Sequence, residues 1–183
     1  MHEGKTPRRM RGRWLFVLGL LLVTLACDQT SKRLAAELLE GLGPHPYMGG
    51  SVVFLYAENS GAFLGLGARL TEATRFWLFT VGVSGLLVLF LFKLHRAGSK
   101  TELIGWSLIV GGGLGNLIDR LLYDGRVIDF LRIGVGDLRT GIFNLADAAI
   151  VVGLIVLLLA ALTLPPPPRA VSQGEFSTRA QIA

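Results

Sequence analysis

The amino-acid sequence predicts an all-α integral membrane protein with four transmembrane helices and a small β-sheet outside the membrane, between the first and second helices. Three observations support this prediction. Apolar residues make up 51% of the 183 residues and charged residues only 17%, whereas soluble domains contain about 25% charged residues. The charges lie between four long apolar runs, each near the length that a helix needs to cross a bilayer. The basic residues are also distributed unequally between the segments that join these runs.

The four apolar runs predict membrane spans of about 14–33, 71–92, 103–120 and 142–164. The last run is the strongest, because its 23 residues contain a single charge, Asp147. The first and third runs reach the usual length only if the helix continues past its first charged residue. Asp28 and Asp119 then lie at the membrane boundary. An ionisable residue at that depth is costly and is a candidate for function.

The segment between the first two spans predicts the small sheet, at about 41–70. Glycines and prolines between residues 41 and 50 end the extended first helix. Residues 51–56 are β-branched or aromatic and predict a strand, on which the turn-rich residues 57–67 are expected to pair back. At the other end of the chain, prolines stop the last helix, and 165–183 is predicted to be a disordered tail.

The charge of each joining segment predicts the topology, because lysine and arginine next to a span mark the cytoplasm. The N-terminal flank, 1–13, has a net charge of +4, and the short link 93–102 has +2. The two long links have net charges of −1 over 28–75 and 0 over 119–139. A multi-pass protein with both termini in the cytoplasm and both long links outside is therefore predicted.

Polar residues recur near the outer ends of the predicted helices, at spacings of three or four that put both members of a pair on one helix face. Because these ends all lie on one side of the membrane, we expect the side chains to meet. The inner halves of the helices are almost purely apolar. The predicted cluster consists of Asp28, Lys32, Asn59, Asn116, Asp119, Arg120, Asp129, Asn144 and Asp147.

Two acids of this cluster suit an aspartic dyad. Asp147 lies five residues into an apolar run, with no basic residue within seven positions on either side. Asp129 lies on the link that joins the third and fourth spans. If the two share a cleft, one carboxylate can take a proton from water while the other, kept protonated by its neighbour's charge, donates to the scissile carbonyl.

Other interpretations remain for some of these residues. An i, i+4 ion pair would also account for Asp28 and Lys32, and Asp119 with Arg120 would suit a structural role. Intramembrane acids also occur in proton-coupled carriers, which would need polar residues through the whole depth of the bundle. A packing subunit without chemistry would leave Asp147 unexplained. A single cysteine and three scattered histidines exclude the usual zinc sites and a disulfide framework.

Five short motifs, in this order, are similar to those of the bacterial lipoprotein signal peptidase (signal peptidase II) family. The resemblance extends over about residues 14–164. One small residue is missing between Ala62 and Phe63, relative to the family's usual second motif. The motifs are Asp28-Gln29-Thr30-Ser31-Lys32, Asn59-Ser60-Gly61-Ala62-Phe63, Gly115-Asn116-Leu117-Ile118-Asp119-Arg120, Val127-Ile128-Asp129-Phe130 and Phe143-Asn144-Leu145-Ala146-Asp147.

This resemblance implies an aspartic endopeptidase of the bacterial inner membrane. Such an enzyme removes signal peptides from diacylglyceryl-modified prolipoproteins by cutting on the amino side of the lipidated cysteine. Its active site lies at the periplasmic face, where the small sheet forms a cradle for the substrate. The implied partners are lipidated prolipoproteins, membrane lipids and globomycin-type inhibitors, with no metal, cofactor or nucleic acid, and the enzyme is expected to be a monomer.

The resemblance also assigns roles to individual residues. The dyad maps onto Asp129 and Asp147. The residues implied to line or support the site are Asp28, Lys32, Asn59, Gly61, Asn116, Asp119, Arg120 and Asn144.

Overall fold

The structure is a computed structural model that describes residues 7–61, 67 and 70–163, with side chains from residue 11 onward. The predicted tail lies outside the described residues. The helices are α1 (Pro7–Leu39), α2 (Glu72–Arg96, with a π-helical stretch at Phe76–Gly82), α3 (Lys100–Leu122) and α4 (Leu145–Thr163). The strands are β1 (His45–Tyr47), β2 (Val52–Asn59), β3 (Val127–Val135) and β4 (Leu138–Arg139).

Within the described part of the chain, α1, α2 and α4 are long and apolar enough to cross a membrane. They turn large apolar side chains outward, among them Leu15, Val88 and Leu158. Apolar surface on this scale needs lipid to cover it. The chain is therefore a mostly helical membrane protein with a small antiparallel sheet. The predicted third span corresponds to α3, which is not among these three candidate spans.

Helix α3 packs between the other helices and approaches two of them closely through its glycines. A Cβ atom on Gly112 would lie 2.4 Å from the carbonyl oxygen of Ala146 at the start of α4. One on Gly111 would lie 3.0 Å from Cγ2 of Thr24 on α1. These glycines therefore allow backbones to approach, as small residues do at helix interfaces in membranes.

The sheet has the order β1–β2–β3–β4 and is antiparallel throughout. The predicted return of 57–67 onto the strand is wrong for residues 57–59, which continue β2; residues 62–66, 68 and 69 lie outside the described part. The partner of β2 is instead β3, with Ala57 opposite Asp129. Because β3 and β4 follow α3, the sheet is not confined to the link between the first two helices and joins both long links.

The last helix begins three residues later than predicted, for a reason visible in its backbone contacts. The N–H group of Phe143 donates to the carbonyl oxygen of Leu131 at 2.9 Å, so Phe143 is held against the sheet. Asn144 then caps α4, which starts at Leu145. The residues just before α4 are thus partly apolar, like the helix itself, and composition alone does not mark where the helix begins.

At the opposite end of the bundle, Arg13 ties the start of α1 to the end of α2. Its Nη2 atom donates to the carbonyl oxygens of Leu94 at 3.2 Å and His95 at 2.9 Å. The rings of Trp14 and His95 stack with centroids 5.5 Å apart. This end of the bundle is rich in basic residues and lies away from the sheet.

Candidate active site

Asn144 connects the two acids of the predicted dyad. Its side-chain oxygen accepts from the N–H group of Asp147 at 2.9 Å, and Oδ2 of Asp147 accepts from the N–H group of Asn144 at 3.4 Å. This reciprocal pair is a capping box at the start of α4. The Nδ2 atom of Asn144 also donates to Oδ1 of Asp129 at 2.7 Å. One asparagine therefore contacts both carboxylates.

Amide donors occupy the remaining carboxylate oxygens. Asn59, at the end of β2, donates through Nδ2 to Oδ2 of Asp129 at 2.9 Å. Asn116, on α3, donates through Nδ2 to Oδ1 of Asp147 at 2.8 Å. Asp129 is almost fully buried, with 2% of its surface exposed, whereas Asp147 is half-buried. The pair thus has one enclosed and one more accessible carboxylate.

The surroundings of Asp129 shift the pKa of its carboxyl group towards neutral pH. Burial raises its pKa to about 6, because the charged form is desolvated. The negative charge of Asp147 also raises the pKa, whereas the hydrogen bonds from Asn59 and Asn144 lower it. A carboxyl group with such a pKa can be proton donor or acceptor near neutral pH.

A buried charge cluster lies behind the two acids. The Nζ atom of Lys32 is 2.9 Å from Oδ2 of Asp28 and 3.0 Å from Oδ2 of Asp119. It also donates to Oδ1 of Asn116 at 2.9 Å. The three ammonium hydrogens thus have three acceptors, and the ionised side chains are at most 2% exposed. Burial of these charges depends on this pairing.

Arg120 and Gly61, the two remaining predicted site residues, lie beside the end of β2. Arg120 donates through Nη2 to the carbonyl oxygen of Gly61 at 3.0 Å, and the N–H group of Gly61 donates to Oδ1 of Asn59 at 2.9 Å. The guanidinium group interacts electrostatically with Asp129 and Asp147. A positive charge therefore faces the two acids.

All ten residues named from the sequence belong to one continuous network of hydrogen bonds and ion pairs. Sequence reasoning missed Gln29, whose Nε2 atom lies 2.9 Å from Oδ1 of Asp119, 3.2 Å from the carbonyl oxygen of Gly115 and 3.3 Å from Oδ2 of Asp28. The signal that could have identified it is a polar residue at membrane depth directly after Asp28. Among the described residues, no three His, Cys, Asp or Glu side chains are placed to hold a metal ion.

Two other aspartates of the same link lie in exposed turns. Asp124 follows α3 with a φ of 50°, and Asp137 belongs to the turn between β3 and β4. Neither forms part of the network around Asn144. Their surroundings are those of turn residues.

The arrangement is suited to acid–base chemistry on an amide bond. Two carboxylates share a common contact, a cationic group lies close to both, and at least one has a raised pKa. When neighbouring acids cannot both be ionised, one can act as base while the other acts as acid.

Comparison with known proteins agrees with this chemistry. The family model of signal peptidase (SPase) II matches residues 20–163. The lipoprotein signal peptidase of Photorhabdus laumondii is 38% identical over 146 residues, which cover 77% of this chain and 82% of the relative. That of Nitratidesulfovibrio vulgaris is 34% identical over 159 residues, covering 86% and 95%. A solved bacterial membrane enzyme has the same fold, with a TM-score of 0.71 and 23% identity over 86% of this chain and 94% of that one. The chain therefore belongs to the signal peptidase II family.

Proposed function

We propose that this protein removes signal peptides from diacylglyceryl-modified prolipoproteins, cutting on the amino side of the lipidated cysteine with Asp129 and Asp147 as its catalytic dyad. The observation that best supports this assignment is the shared contact with Asn144, which donates to both carboxylates. Membership of the signal peptidase II family agrees with the aspartic class of the enzyme.

The reaction uses both protonation states of the pair. The ionised carboxylate takes a proton from a water molecule, and the oxygen of that water attacks the scissile carbonyl carbon. The protonated carboxyl group donates its proton to the carbonyl oxygen, giving a neutral tetrahedral diol. When the C–N bond breaks, the dyad returns one proton to the leaving nitrogen and accepts one from the diol. No proton is gained or lost by the dyad over a complete cycle.

The supporting residues have distinct tasks in this scheme. Asn59, Asn116 and Asn144 hold the carboxylates by donating to them. Arg120 supplies positive charge beside both acids and holds Gly61, which lies next to Asn59 in the network. Lys32 supplies the positive charge that pairs with both carboxylates of the cluster behind the dyad. The sheet lies at the same end of the bundle, which suits a cradle for the substrate's peptide.

We further propose that α3 also spans the membrane, giving four spans. Its 23 residues correspond to about 35 Å at 1.5 Å per residue, and its neighbours shield much of it from lipid. The end of the bundle with Arg11, Arg13, Lys93 and Arg96 would then face the cytoplasm. The termini would lie on that side of the bacterial inner membrane, with the dyad and sheet in the periplasm.

Single-cysteine labelling tests this orientation. In a Cys27→Ser background, a cysteine at Ser51, just before β2, should react with a membrane-impermeant maleimide added to intact spheroplasts. A cysteine at Thr101, exposed at the start of α3, should react only after the membrane is opened, because basic residues flank it. The reverse pattern would place the dyad on the cytoplasmic side and contradict the proposal.

The pH dependence of cleavage should respond to Asn59. Its hydrogen bond lowers the pKa of Asp129 by stabilising the ionised form. Asn59→Leu should therefore raise that pKa, so that the dyad keeps its shared proton to higher pH and the alkaline limb of kcat/KM moves upward. Profiles of parent and variant over pH 5–9 test this; a limb that stays in place or moves to lower pH would contradict the assignment of Asp129.

The decisive test of the activity uses purified protein and a synthetic prolipoprotein. The diacylglyceryl-modified substrate should be cut directly before the modified cysteine, and globomycin should inhibit the reaction. The same peptide without the lipid should be cut much more slowly. Because both acids and all eight supporting residues belong to one chain, a monomer isolated by size-exclusion chromatography should be fully active. Cleavage at other positions, or insensitivity to globomycin, would contradict the proposal.

A further inference from the structure

The residue directly before each proposed catalytic aspartate donates its backbone N–H group to a buried carboxylate. The N–H group of Ala146, directly before Asp147, donates to Oδ1 of Asp28 at 2.9 Å. The N–H group of Ile128, directly before Asp129, donates to Oδ2 of Asp119 at 3.1 Å. The two acids therefore depend on two parallel contacts, one from α1 and one from α3.

Gln29 joins these two contacts to each other. Its Nε2 atom donates to Oδ1 of Asp119 at 2.9 Å and lies 3.3 Å from Oδ2 of Asp28. It also donates to the carbonyl oxygen of Gly115 at 3.2 Å, so all three contacts of the amide nitrogen are acceptors. Gly115 also leaves room for the carboxylate of Asp28, because a Cβ atom at this position would collide with Oδ2 of Asp28.

Lys32 also contacts both carboxylates, but its role differs from that of Gln29. The ammonium group of Lys32 supplies the positive charge that pairs with both Asp28 and Asp119. Gln29 is neutral, so its replacement by another neutral residue leaves the net charge of the cluster unchanged. Its amide is a planar group with two N–H directions. A substitution at Gln29 can therefore remove the hydrogen bonds that link Asp28 and Asp119 while their ion pairs with Lys32 are retained.

We infer that Gln29 is a positioning residue, which sets the separation of the two catalytic carboxylates by linking the side chains of Asp28 and Asp119. This inference rests on the proposed dyad of Asp129 and Asp147. Gln29 itself touches neither acid. Its influence passes through the two buried carboxylates to the two peptide groups.

The test compares three variants with the parent enzyme. Gln29→Met has a similar length but no donor, and Gln29→Lys restores a donor beside a cluster whose net charge is negative. Thr30→Val is the matched control, since Thr30 is the next residue on α1 and is exposed. For each purified protein, kcat, KM and the pH profile for a lipidated prolipoprotein are measured, together with the melting temperature. Asp147→Asn is measured alongside.

The expected result is a loss of turnover in Gln29→Met without a loss of binding. A misplaced catalytic group lowers kcat by about 10- to 100-fold, while KM should stay within about twofold, and the pH profile should keep its position. Gln29→Lys should recover most of the kcat, and Thr30→Val should match the parent. Gln29→Met removes the donor to the buried Oδ1 of Asp119, so its melting temperature should fall modestly. Every kcat is therefore measured at a temperature at which all the variants are folded.

Three outcomes would overturn the inference. Parental kcat in Gln29→Met would show that the link is not needed. A change in KM alone would indicate contact with substrate. Equal losses in Gln29→Met and Gln29→Lys that follow the melting temperature would indicate a purely structural role. If Asp147→Asn still cuts, the dyad itself is wrong; if it is inactive while Gln29→Met has parental kcat, only the positioning role is wrong.

Discussion

Replacing Asp147 with asparagine should give a folded protein that no longer cleaves its substrate. Asparagine has the size of aspartate and can still accept the 2.8 Å hydrogen bond from Nδ2 of Asn116. It cannot act as a base or share a proton, so the cleavage rate should fall by at least about 10³, near the upper part of the range for acid–base groups. The same loss is expected for Asp129→Asn. Rate, membrane yield and melting temperature should be measured on one preparation.

The stability of these variants separates a catalytic from a structural role. A catalytic carboxylate in an apolar segment disfavours folding, so its removal should leave the melting temperature unchanged or slightly higher. Asp124→Asn and Asp137→Asn are matched controls on the same link as Asp129, and both should retain substantial activity. A folded Asp147→Asn protein with near-normal turnover, or an inactive Asp137→Asn with an active Asp129→Asn, would refute the assignment.

Lys32→Met should produce the largest loss of stability. It removes the cation that lies within 3.0 Å of both Asp28 and Asp119. Breaking a buried ion pair by removing one partner costs about 3–5 kcal/mol, because the remaining charge is left without compensation. Thermal unfolding in detergent, followed by circular dichroism, should show a clearly lower melting temperature and a smaller folded yield.

A neighbouring residue provides the control for this effect. Arg33 is the next residue on α1, is also basic and is exposed. Arg33→Met removes the same charge at the surface and should change stability by no more than about 0.5 kcal/mol. The double variant Lys32→Met, Asp119→Asn should recover part of the stability, because one uncompensated carboxylate is gone. If Lys32→Met has the same melting temperature as the parent, the stability of the cluster does not depend on charge pairing.

Local patterns were sufficient to predict the helices and the meeting of the polar residues. Apolar runs indicate helices wherever lipid or other helices surround the chain; α2, for example, contains most of the predicted run 71–92 and continues to Arg96. Spacings of three and four put Asn116 and Asp119, or Asn144 and Asp147, on one helix face. Once the ends of the helices are assigned to one side, the convergence of these side chains follows.

The sheet could not be predicted in the same way, because strand pairing depends on contacts that are distant in sequence. Asn59 meets Asp129 across 70 positions, and no local pattern distinguishes β3 from the nearer residues 57–67 as a partner. The start of α4 was missed for a similar reason, since Phe143 is apolar but pairs with Leu131. Gln29 was missed because its three acceptors include groups on α3, 86 and 90 positions away.

Because the sheet is divided between the two long links, its strands are completed at different times during synthesis of the enzyme. Translation proceeds from the N-terminus at about 5–20 residues per second, so Asn59 leaves the ribosome on the order of 10 s before Asp147. For most of this interval β2 lacks its partner β3, and both Asp129 and Asp147 are still to be synthesised. Asn144, which contacts both acids, arrives only with the last helix. A nascent protease of this design therefore remains inactive in its own membrane until its synthesis is almost complete.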